Sequence, residues 1–311
     1  MAFKALQVSS VLCMFLMAFS GFDRVASADS YSPLHITPTI KIGTIPSLNN
    51  SAPTHGYDNP YSQPNIKFHG GPTMKNNIKV YVILYGTFAG TGPALLQNFL
   101  SNLGTSRWWK INQEYNTGSI GFGGMYRIPA TKKMLTTPDV EKIIQTTALK
   151  SGGSTNDLYI LLSDKTVDQS DIGAGNGFCK VYCGWHGYMT YNNKNIKYAW
   201  IGSPVRCPSV VGYSSCSALN PNGKDSPNAS VEMDGLMSIF SHELAEAASD
   251  PNLNAWYNIN GWENADMCVW DFGKYFVGTP SNPKGVWNEI VGTKKYLLQE
   301  NWDLKKQTCV N

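Results

Sequence analysis

Three short stretches narrow the folds open to this chain more than any other feature. They are the runs 78–85 (IKVYVILY), 157–164 (DLYILLSD) and 197–202 (KYAWIG), rich in Val, Ile, Leu and Tyr with little polar alternation. A strand of that kind is apolar on both sides and belongs inside a sheet with covered faces. Helical patterns lie between them. Gly92-Pro93 opens one that carries Leu95, Leu96, Phe99, Leu100 and Leu103, with Gly104 as its stop. Pro138-Asp139 opens another, with Val140, Ile143, Ile144 and Ala148 on one face and Gly152-Gly153 closing it. FGGMYRIP at 122–129 reads as a further strand and KKYLLQE at 294–300 as a last one, and the paired Trp108 and Trp109 sit at the core edge. The order strand, helix, strand, helix, strand, strand predicts an α/β single domain with a central twisted sheet.

The ends of the chain set its compartment. A short positive start, the apolar run ALQVSSVLCMFLMAFSGF and the small residues Ala26 and Ala28 make residues 1–28 a secretory signal peptide cleaved after Ala28. No later stretch is long enough to span a bilayer. Residues 29–67 hold six prolines among Ser, Asn and Thr without apolar periodicity, which predicts an extended N-terminal arm, the alternative being a pro-segment packed on the domain. The domain then covers 68–311. Six cysteines remain after the signal: Cys179, Cys183, Cys207, Cys216, Cys268 and Cys309. An even number in a secreted chain predicts three disulfides. Short closure loops favour Cys179–Cys183 and Cys207–Cys216, which leaves Cys268–Cys309. Asn49 and Asn228 sit in glycosylation sequons. A net charge of +3 favours neither nucleic acid nor a charged membrane as partner.

The stretch SHELAEAASDP, 241–251, carries the chemistry. Asp234 is a good N-cap and Pro251 a stop for a helix in which Leu236, Met237, Phe240, Leu244, Ala247 and Ala248 form an apolar arc. His242, Glu246 and Asp250 recur at every fourth position, so neighbours in that line share a face. Five acidic residues and no Lys or Arg occupy 232–250, and the outward positions are Ser and Ala. Such a helix is packed on several sides, and its carboxylates need compensation. Imidazole and carboxylate at i, i+4 can reach one Zn²⁺, with Glu243 as the base that deprotonates water. The acidic loop GWENADMCVW, 261–270, offers Glu263 or Asp266 as the completing ligand, and Asp250 is the alternative. An oxygen-only set of Glu246, Asp250, Glu263 and Asp266 would suit Ca²⁺ instead. The bland alternative is a satisfied His–Glu pair, with Asp250 as a turn residue.

Several short elements resemble the plant EXORDIUM family, also called phosphate-induced protein 1. They are HGGP at 69–72, ILYG at 83–86, FCKVYCGWHGY at 178–188, Cys207-Pro208, MDGLM at 233–237 and the terminal KYLL and TCV, in the family's order. The resemblance covers about residues 68–311 and implies a protein of the cell wall or extracellular matrix linked to growth. His186, inside the shared C-G-x-H element, is read as structural or as an independent site, and His69 as a turn residue; His35 and His55, in the arm, have no role. The helix departs from the plant pattern, in which His242, Glu243 and Glu246 have no equivalent, while Glu263 matches a family glutamate and Asp266 does not. Its HExxE string is similar to microbial, zincin-like proteins. The expectation is therefore an EXORDIUM-like extracellular protein with a zincin-like active-site helix and a peptide as substrate. The rival is a non-enzymatic binder of a cell-wall component, glycan or receptor with a relic or structural metal site. Trp185, Trp256, Tyr257, Trp262, Trp270 and Trp287 are candidates for sugar stacking or, alternatively, core packing.

Overall fold

The computed structural model describes residues 66–149, 153–171, 173, 177–210, 213–219, 222–279 and 282–311. The signal peptide, nearly all of the arm, His35, His55 and Asn49 lie outside these residues. The described chain begins with β1 (Lys67–Phe68) and β2 (Ile78–Tyr85), followed by helices α1 (Gly92–Asn102) and α2 (Arg107–Asn112). Then come β3 (Ile120–Ile128), β4 (Met134–Leu135), α3 (Thr137–Thr147), β5 (Leu158–Ser163), β6 (Asp168–Gln169), β7 (Gly184–Tyr191) and β8 (Lys194–Gly202). Two short strands, β9 (Ser209–Val210) and β10 (Tyr213–Ser214), precede the long helix α4 (Val231–Ser249) and β11 (Trp256–Tyr257). Lys67, assigned above to the arm, already pairs with Tyr257, so the folded domain starts slightly earlier than expected.

The central sheet has five strands in the order β3-β2-β5-β8-β7. The first four run parallel, and β7 pairs antiparallel with β8 at one end. The apolar runs behave as their composition requires: β5 is buried at every residue, and β2 and β8 nearly so. Gly123 is the extra residue where the β2–β3 register shifts, and a Cβ there would come within 2.9 Å of the Tyr81 ring. Helix α3 carries a capping box of Thr136 and Asp139 at its start, and Tyr198 of β8 donates to its Glu141 at 2.8 Å. Both tryptophans of α2 are fully buried, deeper than a core edge: Trp108 Nε1 donates to Gln299 O and Trp109 Nε1 to Gly118 O.

Strand β7 is the element the sequence reading missed. Its residues, GWHGYMTY, dilute the apolar pattern with two glycines and a histidine. Alternation along it divides the sheet faces. Met189 accepts from Gln145 of α3, and Trp185 packs edge-on against Tyr198, on the α3 side. Gly184 and His186 point to the opposite side, which α4 covers. KKYLLQE is a strand only at its start, residues 294–296, paired with 289–291.

Disulfides correct one expectation. Cys268–Cys309 forms, but the other pairs cross: Cys179–Cys207 and Cys183–Cys216. Loop-closure entropy favours near neighbours in the unfolded chain. The folded chain decides otherwise, because Cys183 leads directly into β7 while the segment after β8 returns beside it. That return brings the bonded Cα atoms to 5.1 and 5.5 Å, inside the range a disulfide requires. The two bonds fasten the approach to β7 to the exit from β8.

Candidate metal centre

Helix α4 is 19 residues long, and every residue from Met233 to Ser249 is buried. It starts three residues earlier than Asp234. Asp234 is therefore a first-turn residue, not the N-cap, which is Ser230. Its carboxylate nonetheless accepts from Ser226 Oγ, from the Asn228 backbone and side-chain amides, and from the Ser230 backbone. Asn228 Nδ2 also donates to Lys295 O at 2.6 Å, so the nitrogen a glycan would take is engaged in the fold.

At the other end of the helix, three elements bring six side chains together. Helix α4 supplies His242, Glu243 and Glu246. The loop after β11 supplies Glu263 and Asp266, and β7 supplies His186. All six are at most 1% exposed. His242 Nε2 lies 3.1 Å from Glu246 Oε1 and 3.4 Å from Asp266 Oδ1. His186 Nδ1 lies 3.6 Å from Glu243 Oε2 and 3.7 Å from Glu246 Oε2, and its Nε2 is 3.7 Å from Glu263 Oε1. Two sets of side chains have donor atoms close enough to share a cation: His242, Glu246 and Asp266, and His186, Glu246 and Glu263.

The loop is held firmly. Asp266 N donates to Glu246 Oε1 at 3.0 Å, and Glu263 N to Asp266 Oδ2 at 3.2 Å. Asn264 accepts from Ser249 Oγ and donates to Asn112 of α2, which in turn donates to the Ala245 carbonyl in α4. The disulfide from Cys268 to the C-terminal strand anchors its far end.

Electrostatics marks the cluster as unbalanced. Four carboxylates face two imidazoles, and the chain has no Lys or Arg from Asp225 to Gly273. Burial, reinforced by Asp266 and Glu263 and opposed by His242, pushes Glu246 up to about 7. Burial by itself would lower the His242 imidazole, but Glu246, Asp266 and Glu243 hold it well above its ordinary value. Without a cation, the centre must hold protons at neutral pH. Atoms about 2.0–2.1 Å from a tetrahedral Zn²⁺ lie about 3.3 Å from one another. The His242 contacts, at 3.1 and 3.4 Å, lie close to that spacing.

Asp250 is not part of this arrangement. Its Oδ1 accepts from Asn254 N at 2.6 Å and Ala255 N at 2.7 Å, closing the turn after α4. The oxygen-only Ca²⁺ set is therefore not assembled, and both candidate sets contain an imidazole. Glu263 and Asp266 both reach the centre, on opposite sides of Glu246. His186, read as structural or independent, belongs to it. The signal that could have found it is the spacing of Gly184 and His186 on one face of β7, where the glycine lets α4 approach. A Cβ on Gly184 would come within 2.9 Å of Glu243 Oε1.

Of the aromatic candidates, Trp185 is buried, Trp256 packs edge-on against Tyr115, and Trp262 and Trp270 lie against core clusters. Tyr257 stacks on His69, whose Nε2 lies 3.1 Å from the Tyr257 carbonyl. Trp287 stacks on the exposed Phe276 with Lys295 over its ring, and Trp256 also meets the exposed Phe68. Among the described residues no helix is long and apolar enough to cross a membrane.

Comparison with known proteins agrees with the sequence elements. The phosphate-induced protein 1 conserved region matches residues 66–311. Protein EXORDIUM-like 3 of Arabidopsis thaliana is 29% identical over 78% of this chain and 82% of its own. Protein EXORDIUM-like 5 of the same plant is 28% identical over 78% and 77%. Protein PHOSPHATE-INDUCED 1 of Nicotiana tabacum is 26% identical over 78% and 87%. No solved structure matches the chain. The three disulfides and these plant relatives are consistent with an extracellular protein. The match runs through the whole sheet, the helix with the histidine and acidic cluster, and the closing disulfide, so the chain belongs to the phosphate-induced protein 1, or EXORDIUM-like, family.

Proposed function

We propose that this is a secreted EXORDIUM-family protein with a metal-dependent hydrolase centre of peptidase type. The observation that carries the reading is the meeting of His242, Glu246 and Asp266, from two separate segments, at the spacing of atoms that share a small cation. Imidazole in the donor set favours Zn²⁺ over Ca²⁺. A divalent ion held there supplies Lewis acidity and makes bound water more acidic. Glu243, next in sequence to His242 and pressed under β7, is placed to take a proton from the attacking water and pass it to the leaving group. Strand β7 ends the sheet, and an extended peptide added along it would run past His186.

Burial favours a second reading. No ligand candidate is more than 1% exposed. A metal there would also serve as a clamp between α4, β7 and the 261–270 loop in a wall or matrix protein that binds rather than cuts. Both readings are tested on the purified secreted protein, by metal analysis together with turnover of a peptide library. The hydrolase reading expects bound zinc, lost in His242→Ala, and a Glu243→Gln variant that keeps zinc and loses turnover. Equal turnover in Glu243→Gln removes the mechanism. Zinc without any turnover, with a Tm that falls on chelation, leaves the clamp.

A further inference from the structure

We propose that two adjoining hairpins near the C-terminal end of the chain form a docking surface for an anionic polysaccharide, one whose sugar rings carry carboxylates. None of its residues belongs to the metal centre. The first hairpin pairs β12 (Phe276–Thr279) with β13 (Asn282–Trp287), and the second pairs β14 (Glu289–Val291) with β15 (Lys294–Tyr296). Phe276 stands opposite Trp287, and their rings stack with centroids 4.3 Å apart and planes 18° from parallel. Lys295 of the second hairpin reaches over Trp287, its Nζ 4.3 Å from the ring centroid. Ile290 stands opposite Lys295, so the two share a face. The four side chains form one continuous patch across both hairpins. It is open to solvent, with Phe276 58% and Ile290 54% exposed. Trp287 is held between Phe276 and Lys295, which leaves the outer face of Phe276 for a ligand ring.

Charge selects the partner. From Phe272 to Tyr296 the sequence carries four lysines (Lys274, Lys284, Lys294 and Lys295) and a single acid, Glu289. Four less one is +3, equal to the formal charge of the whole chain. The single acid lies within electrostatic reach of Arg107 in α2. A segment of that balance attracts a polyanion and is indifferent to a neutral chain. The aromatic face accepts the apolar face of a sugar ring, and ammonium groups accept its carboxylates. A second copy of this chain is a poorer occupant, because a two-fold contact through the patch sets the same lysines against each other. In a chain with the disulfides of an extracellular protein, an acidic polymer of rings is a polysaccharide before it is a nucleic acid.

The test is binding of the full secreted chain to polygalacturonate by titration calorimetry, with the fully methyl-esterified polymer as its uncharged counterpart. Polygalacturonate is expected to bind about tenfold more tightly than the ester, and more weakly as salt rises. Phe276→Ala and Lys295→Gln are each expected to weaken it by about tenfold, with a Tm that shows the variants folded. Single-stranded DNA and vesicles of anionic phospholipid are the probes for other acidic partners. Equal binding of the charged and esterified polymers overturns the proposal, and so does wild-type affinity in folded Phe276→Ala. Tighter binding of the DNA or the vesicles overturns it as well. The measurement reads neither metal nor turnover, so its failure leaves the metal-centre reading standing.

Discussion

Helix α4 and its C-cap bury four carboxylates equally deeply and treat them in two opposite ways. Asp234, 2% exposed, collects donors from Ser226, Asn228 and Ser230. Asp250, 1% exposed, accepts two backbone N–H groups. Between them, Glu243 and Glu246 lean towards two imidazoles and two more acids. The first kind of burial is self-sufficient, since each carboxylate accepts from N–H or O–H donors that suit it and no other chemistry is called for. The second gathers imidazole and carboxylate atoms 3.1–3.7 Å apart. One helix therefore shows that burial of an acid is no sign of function; what faces it decides. Glu300 adds a third case, since burial and the nearby Asp271 push it up to about 7.

The comparison breaks most sharply on chelation. With free metal a thousand-fold above Kd, stripping it removes about 4 kcal/mol of linked stability, a fall in Tm of about 10 °C for a domain of this size. Calorimetry of the wild type with and without chelator measures it, and His242→Ala is expected to abolish the difference. An unchanged Tm would make the two kinds of buried acid alike.

Opening Cys268–Cys309 by a double Cys→Ser change comes next. The bond closes a separation of 41 residues, worth about 3–4 kcal/mol in the loop-entropy account. Because the loop carries Glu263 and Asp266, this variant should also release metal faster, which a chromophoric chelator reports. The same measurement on a variant lacking Cys179–Cys207 should show no faster release.

Asp234→Ala probes the self-sufficient end. Leaving the donors of Ser226, Asn228 and Ser230 without their acceptor should cost about 2–3 kcal/mol by denaturant unfolding. Metal content is expected to stay at the wild-type value. Loss of metal in this variant would mean that the ends of the helix are coupled.

The smallest effect belongs to Glu300. Its folded-state value lies above the ordinary 4.5, so its contribution to stability is complete below about pH 4.5 and is lost as pH rises through about 7. Glu300→Gln should flatten stability across that window in unfolding curves of metal-saturated protein. An unchanged slope would mean that the carboxyl finds donors on folding.

Much of the fold was legible because its signals are local. Runs of apolar residues in β2, β5 and β8 could only be strands covered on both faces, and the patterns of α1 and α3 carried their own caps and stops. The helix of the centre was legible from its apolar arc, and His242, Glu243 and Glu246 from spacing and from the lack of any basic residue around them. Strand β7 was hidden because its Gly184 serves a neighbour, α4, that lies more than forty residues later in sequence.

What the sequence determined, then, is whatever depends on composition and on periods of two and 3.6 residues: the α/β class, the oxidised cysteines, the acidic helix and the family. Tertiary structure decided what depends on distance between remote segments. It crossed the disulfides, because the folded path and not closure entropy brings Cα atoms into range. It sent Asp250 into a turn, and it placed Asp266 against His242 and Glu263 against His186. Side chains on three elements meet at one centre only after the sheet has formed, and no local pattern encodes that meeting.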